Sequence, residues 1–453
     1  MSPGSPGGGG AGPVPPVVLI VLALAFGCNF IGRGIAETWA VFLLPIEAEF
    51  GFARSDVTSV YSIYLVVAGL AAPFSGMAFD RFGPRFCYLT GMACVGLGTL
   101  AAAWAQARWH FVLANGLTVG IGASLIGMVP ASVMIGRWFH AGLGRAVAFA
   151  YAGFGTGILL LVPLSQFLIE RLGWRGAYQA LGTGLLVVGL GLCFLPWRRI
   201  AAGSAEVARA RAAEAIARVE ASRGRGAGRD TDAAAVTGDR ASVVGVATAV
   251  TATPAVSSFA GALRTPAFWD LAATFHMTAL GMYLVIPQVV AYLVDTGYSP
   301  LVAASLFGLA GSLSMGGILT AGWLCDKVGF RFAATLSFVL TLAGTGCLAM
   351  LLLGPSAFWL GGFVLLFGLA QGARGPVVST LTNRIFAGPS AGTIYGVIFA
   401  VMSIGSAIGA WASGRLHDAT GGYGTGFALS AVCIAGAIAP FWWSRRLRDI
   451  RAR

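Results

Sequence analysis

GMAFDRFGPRF occupies residues 76 to 86, and GWLCDKVGFRF occupies residues 322 to 332. Set one over the other without a gap, they share Gly76 with Gly322, Asp80 with Asp326, Gly83 with Gly329 and Arg85 with Arg331, while Lys327 answers Arg81. Each copy is a short charged turn between long apolar stretches. A chain that writes such a turn twice reads as two copies of one unit.

The composition says what the unit is made for. Of 453 residues, 57% are hydrophobic and 10% charged, far more apolar than a soluble globular domain. Apolar stretches of about 20 residues, the length that crosses a bilayer core, recur along almost the whole chain. The expected spans are 17–46, 56–79, 85–105, 110–136, 145–169, 175–196, 267–293, 301–324, 331–353, 357–383, 391–414 and 423–443. The 66 glycines suit close packing of membrane helices.

The predicted fold is therefore an all-α integral membrane protein with twelve transmembrane helices in two six-helix halves. Residues 1–16 read as a disordered leader, 17–196 as the first bundle, 197–264 as a linker, 265–444 as the second bundle and 445–453 as a basic tail. The linker starts Ala/Arg/Glu-rich, suited to a surface helix, and continues as small polar residues, suited to a tether.

The net charge of +12 raises the question of nucleic acid. Arg198, Arg199, Arg445, Arg446 and Arg448 flank apolar spans, so the charge reads as topogenic instead. An even number of spans then puts both termini in the cytoplasm and the chain, multi-pass, in the inner (plasma) membrane. The seven cysteines show no CxxC or Cys/His ligand spacing, and no metal or cofactor is expected. There is no P-loop, HExxH or catalytic GxSxG, which argues against an ATP-driven pump or an enzyme.

Within the repeated turn, Gly76 and Gly322 allow helices to approach, and Gly83 and Gly329 allow a positive φ. Asp80 and Asp326 can accept hydrogen bonds from helix N-termini, and Arg81, Arg85, Lys327 and Arg331 anchor the cytoplasmic side. Bonds of this kind that form only while that face is closed would act as latches.

A turn of the form GxxxDRxGxR between the second and third helices, echoed between the eighth and ninth, resembles the signature of the major facilitator superfamily. The stretch GRAVAFAYAGFGTGILLLVPLSQFLIERLGWRGAYQALG from Gly144, and VVAYLVDTGYSPLVAASLFGLAGSLSMGG across spans seven and eight, look like the monocarboxylate transporter and oxalate/formate antiporter families. The resemblance implies a transporter whose central cavity is lined by helices one, four, seven and ten. It also has a gap. Where monocarboxylate transporters typically carry an Asp and Arg pair on the eighth helix, this chain has Ser314 and Ile318, so the substrate of that family does not carry over.

Charges inside the membrane are costly and usually face a cavity. The candidates are Arg33, Glu37, His276 and Arg374, on spans one, seven and ten. Arg33 and Glu37 stand one helical turn apart and can pair. Arg374, in the loosened stretch QGARGP, offers a planar fork to a carboxylate. Its alternative is a structural role, held by backbone carbonyls or by Glu37. Asn29, Asn115, Gln371, Tyr151 and Tyr395 supply polar contacts. For proton coupling the candidates are Glu37 and His276, since histidine titrates near neutrality and a buried carboxylic acid can.

The expected function is secondary transport of a small organic anion, a mono- or dicarboxylate, by alternating access with proton symport, by a monomer. Anion exchange, efflux of an amphipathic metabolite or drug, and a membrane sensor are the alternatives.

Overall fold

The computed structural model describes residues 16 to 139, 143 to 204, 207, 209, 259 to 386 and 391 to 443. Within these, the side chains of residues 259, 321, 322, 326, 373 to 380, 383, 384, 391 and 392 lie outside the description. The leader, most of the linker and the basic tail therefore fall outside it.

Every regular element among the described residues is helical. The first span is α1 (Pro16–Glu37) followed by α2 (Trp39–Phe50), and α3 (Arg54–Ala102) supplies the second and third. The fourth is assembled from α4 (Arg108–Phe111), a π-helical stretch (Val112–Val119), α5 (Gly120–Ile126) and α6 (Met128–Trp138). The long α7 (Leu143–Cys193) forms the fifth and sixth, and the short α8 (Trp197–Ala202) follows.

In the second half, α9 (Phe259–Leu263) leads into α10 (Pro266–Tyr283), which a 3₁₀ turn joins to α11 (Val289–Asp295) to make the seventh span. Spans eight to twelve are α12 (Pro300–Val328), α13 (Phe330–Met350), α14 (Ala357–Ile385), α15 (Ala391–Thr420) and α16 (Gly424–Trp443). Nine helical stretches among the described residues are long and apolar enough to cross a bilayer. Two of them break, at Gly83 and Gly173, and α14 adds the apolar Ala357–Gly372, which accounts for the twelve spans.

The repeated turn is repeated in conformation as well as in sequence. Gly83 has φ 80°, ψ 175°, and Gly329 has φ 88°, ψ 159°. Both values lie in a region that a side chain with a Cβ rarely adopts. Pro84 then opens the third span, where its missing N–H costs nothing.

The halves meet along two seams, α3 with α15 and α7 with α12. Glycine makes these seams close: a Cβ on Gly155 would sit 3.0 Å from the Gly311 carbonyl oxygen, and one on Gly69 would sit 2.2 Å from Ser403 Oγ. The outer surface is apolar, with Phe74, Leu190 and Val432 exposed. Trp104, Trp109, Trp269 and Trp443 are exposed near helix ends, where amphipathic rings sit at a membrane interface.

The first turn of the linker is docked. Trp197 stacks on Tyr88 with ring centroids 6.2 Å apart, Trp138 Nε1 donates to the Ile200 carbonyl at 3.0 Å, and Ile200 is buried.

Candidate functional site: a cavity capped by an ion pair

Three spans that face the centre are not continuous α-helices. The first breaks at Thr38, the fourth carries the π-helical stretch and then extended backbone at Gly127, and the seventh loosens between Leu284 and Gln288 around Pro287. Irregular backbone at membrane depth is tolerated where it is buried in protein or lines a cavity. Thr38 and the π-helical stretch border a small cavity, and Gly127 lines the main one.

The cavity is about 860 Å³. It runs from Arg33 and Tyr283 toward the linker-side ends of spans two, four and eleven, past Pro73, Ser132 and Thr393. Its wall is largely apolar and carries hydroxyl-bearing residues, including Tyr64, Tyr151, Tyr283, Tyr395, Ser403 and Ser406. Among the described residues that line it, Arg33 carries the charge.

Arg33 reaches the wall because Asn29, Gly32 and Arg33 are spaced at i, i+3 and i+4 on one face of α1. Its Nη2 is 2.6 Å from Glu37 Oε1, but off the N–H direction, so the contact is one of charge. The same Nη2 donates to the Tyr283 hydroxyl of the other half at 3.3 Å. The Arg33 side chain is 28% exposed and Glu37 1%. The carboxylate is thus the hidden partner, and burial without a counter-charge would be strongly unfavourable.

Behind the pair, Tyr61 stacks on Tyr64 at 5.7 Å and lies 6.1 Å from Tyr283. This aromatic wall closes the cavity toward the opposite face.

That face is sealed by Arg54, a buried side chain at the start of α3. Its Nε lies 2.7 Å from Glu47 Oε2, and its Nη1 donates to Gln288 Oε1 at 3.2 Å and to the Tyr423 hydroxyl at 3.0 Å. The Asp418 carboxylate of α15 accepts from the Arg54 and Ser55 backbone N–H groups, each at 2.9 Å, capping the N-terminus of α3 from the other half. Tyr423 in turn donates to Asp295. Burial raises the Tyr423 pKa, and the Asp295 contact adds to this against the pull of Arg54, so the phenol stays a donor. One arginine of the first half is thus tied to three residues of the second, Gln288, Asp418 and Tyr423.

Of the residues singled out in the sequence, Arg33, Asn29, Tyr151 and Tyr395 line the cavity. Asn29 Nδ2 donates to the Ala150 carbonyl at 3.1 Å, and Tyr151 exchanges a hydrogen bond with Ser132 at 3.0 Å. Glu37 lies behind Arg33 and pairs with it on its own helix, and the alternative pairing with Arg374 falls on a side chain outside the described residues. Arg374 belongs to α14, and its side chain lies outside the described residues.

His276 is not in the wall. Its ring Nδ1 is 3.1 Å from the Val401 carbonyl oxygen, and Gly405 packs against it, so it sits in the seam of spans seven and eleven. Asn115 lines a smaller cavity behind the apex, and Gln371 lines neither. In the first turn, Asp80 accepts from Arg137 at 3.1 Å, within its own half rather than from a helix N-terminus, while Arg81 lies over Phe82 at 5.4 Å. In the second turn, Arg331 lies over Trp442 at 3.5 Å, and the surroundings of Gly322 and the side chain of Asp326 lie outside the description. Arg54 and Asp418 were not legible as site residues, because the partners of Arg54 are 234 and 369 residues away in sequence.

Two six-helix halves around a central cavity, sealed at one face, have the build of a multi-pass membrane transporter. The Major Facilitator Superfamily profile matches residues 22–410, and the chain belongs to that superfamily. It is similar to monocarboxylate transporter 13 of Bos taurus, 26% identical over 422 residues, covering 92% of this chain and 87% of the relative. It is also similar to an uncharacterized MFS-type transporter of Bacillus subtilis, 24% identical over 429 residues, covering 92% and 90%. Among solved structures, a peptide transporter in complex with sulfate superposes with a TM-score of 0.68 at 14% identity, covering 92% of this chain and 93% of that one. A bacterial homologue of the lysosomal transporter Spinster, inward-facing and unoccupied, does so with a TM-score of 0.65 at 16% identity, covering 96% and 98%.

Proposed function

We propose that the protein is a proton-coupled carboxylate transporter working by alternating access, with Arg33 and Glu37 as the coupling pair. The observation that carries this reading is the position of one neutralised arginine at the apex of a cavity whose wall carries hydroxyls. While Glu37 is ionised, Arg33 is already paired. A proton on Glu37 removes that competitor and leaves the guanidinium to hold both oxygens of a carboxylate. Tyr283 and Tyr64 stand beside the position, and Tyr395 adds a further hydroxyl to the cavity wall.

The linker face is taken as cytoplasmic, which makes this the inward-open state of a chain in the inner membrane, closed outside by Arg54. The two bundles, 17–196 and 265–444, then rock about the seams to break the Arg54 ties and close the linker face. Arg374 is proposed as a further contact from span ten. The similarity to monocarboxylate transporters supports a carboxylate, although Ser314 and Ile318 stand where those proteins typically carry a charged pair.

Equilibrium binding of radiolabelled mono- and dicarboxylates to purified protein tests the reading. Binding should be saturable, tighten as pH falls by up to about tenfold per unit for one linked proton, and be lost in Arg33→Gln. Folded protein that binds none of them would overturn it and favour efflux of a neutral amphipath, which the apolar parts of the wall suit.

A further inference from the structure

Behind the apex lies a second, much smaller cavity of about 20 Å³, on the side of Tyr61 and Tyr64 away from the linker. Its lining comes from the break in span one, from spans two and three, from the π-helical stretch of span four, and from span six. Five of its polar atoms are buried: Trp39 Nε1 and Thr99 Oγ1 have no partner, and Asn115 Nδ2, Tyr178 Oη and Tyr61 Oη make no well-formed hydrogen bond, although Asn115 approaches Tyr178 and Tyr61 approaches Tyr283. Trp39, Tyr61, Thr99 and Tyr178 are each at least nine-tenths buried. An unsatisfied buried polar atom costs roughly 1–3 kcal/mol, so one occupant that serves several of these atoms would stabilise the site.

We propose that this cavity is a built site for one water molecule. The volume fits, since a single water needs about 10–15 Å³. The chemistry fits as well. Trp39 and Asn115 can only donate through the atoms concerned, so a water accepts from both and donates to two of the three hydroxyls. Such a molecule makes four hydrogen bonds and leaves one hydroxyl free to bond a neighbour.

A halide would also accept from these donors. Against it, no cation lines the cavity to balance an anion's charge.

Both helix irregularities make sense around this occupant. In the π-helical stretch Thr118 Oγ1 donates to the carbonyl of Leu113 at 2.8 Å, five residues back, and the widened turn carries Asn115. The break at Thr38 comes immediately before Trp39. Tyr61 is the shared wall: it lines this cavity, and its ring backs Tyr64 and Tyr283. The water thereby holds the aromatic wall on which the cavity ends, whatever the transporter carries.

Radiolytic hydroxyl footprinting with mass spectrometry tests this on the full-length protein, because bound water converts to radicals in place and marks the buried side chains that touch it. The expected result is strong labelling of Trp39, Tyr61 and Tyr178 despite their burial, reduced several-fold at Trp39 and Tyr61 in Thr99→Val and in Tyr178→Phe. Labelling no higher than at the buried Tyr88 and Tyr292 would overturn the site. So would an anomalous peak in the cavity after bromide exchange, which would assign it to a halide. Neither readout depends on transport, so failure of the carboxylate reading leaves this test intact.

Discussion

Arg33 Nη2 lies 2.6 Å from Glu37 on its own helix and 3.3 Å from the hydroxyl of Tyr283, which belongs to the other half of the molecule. The same guanidinium is therefore a partner in an ion pair and a tie between two bodies that must move apart. A substrate carboxylate that takes over the guanidinium changes both relationships at once.

Removing Arg33 has two separable consequences. In Arg33→Gln the Glu37 carboxylate is left buried without its counter-charge, and stability should fall by about 3–5 kcal/mol. Arg33→Gln combined with Glu37→Gln should recover most of that loss in a thermal shift assay but none of the carboxylate binding. Recovery of binding in the double variant would remove Arg33 from the substrate site.

Glu37→Gln keeps the shape of the pair and removes its proton chemistry. Carboxylate binding should persist and lose its dependence on pH. Preloaded vesicles should still exchange labelled for unlabelled substrate at a rate within a few-fold of wild type. A variant that retains the full pH dependence would assign coupling elsewhere, with His276 next in line.

The Arg54 seal sets the balance between the two states. Asp418→Asn weakens two charge-assisted caps on α3, and a loss of about 1.4 kcal/mol moves the population tenfold. Spin labels on the Arg54 face should therefore report a larger fraction of long distances by electron resonance. Unchanged distances would mean that the seams, and not Arg54, hold that face shut.

Gly414 probes the same face by steric means. A Cβ at this position would sit 2.2 Å from Thr58 Oγ1, 2.7 Å from Ser55 Cα and 2.8 Å from the Arg54 carbonyl oxygen. Two of these contacts are backbone, so the neighbours cannot rotate away. Gly414→Leu should shift the protein toward opening on the Arg54 face and slow transport at least tenfold, while the thermal midpoint moves little.

Much of this arrangement is legible in the sequence, for identifiable reasons. The duplicated GxxxD turn is visible because a positive φ at Gly83 and Gly329 restricts the residue to glycine. The spans are visible because a bilayer imposes length and apolarity on every one of them. Arg33 and Glu37 stand out because a charge in an apolar helix needs a reason, and their spacing of four already implies the pair.

What the sequence hides is contact between distant elements. His276 reads the same whether its ring faces a cavity or, as it does, the Val401 carbonyl of a neighbouring helix. Arg54 reads as an ordinary loop charge until Gln288, Tyr423 and Asp418 are brought to it by the fold. The π-helical stretch around Asn115 leaves no mark in the residue pattern, because the widened turn is selected by what it surrounds.

Uptake of labelled carboxylates into proteoliposomes, with and without an inward proton gradient, tests the central claim most directly when wild type, Arg33→Gln and Glu37→Gln are compared side by side. Coupling through this pair predicts gradient-driven accumulation by wild type, none by Arg33→Gln, and by Glu37→Gln only equilibration that ignores the gradient. Gradient-driven accumulation that survives in Glu37→Gln would contradict it.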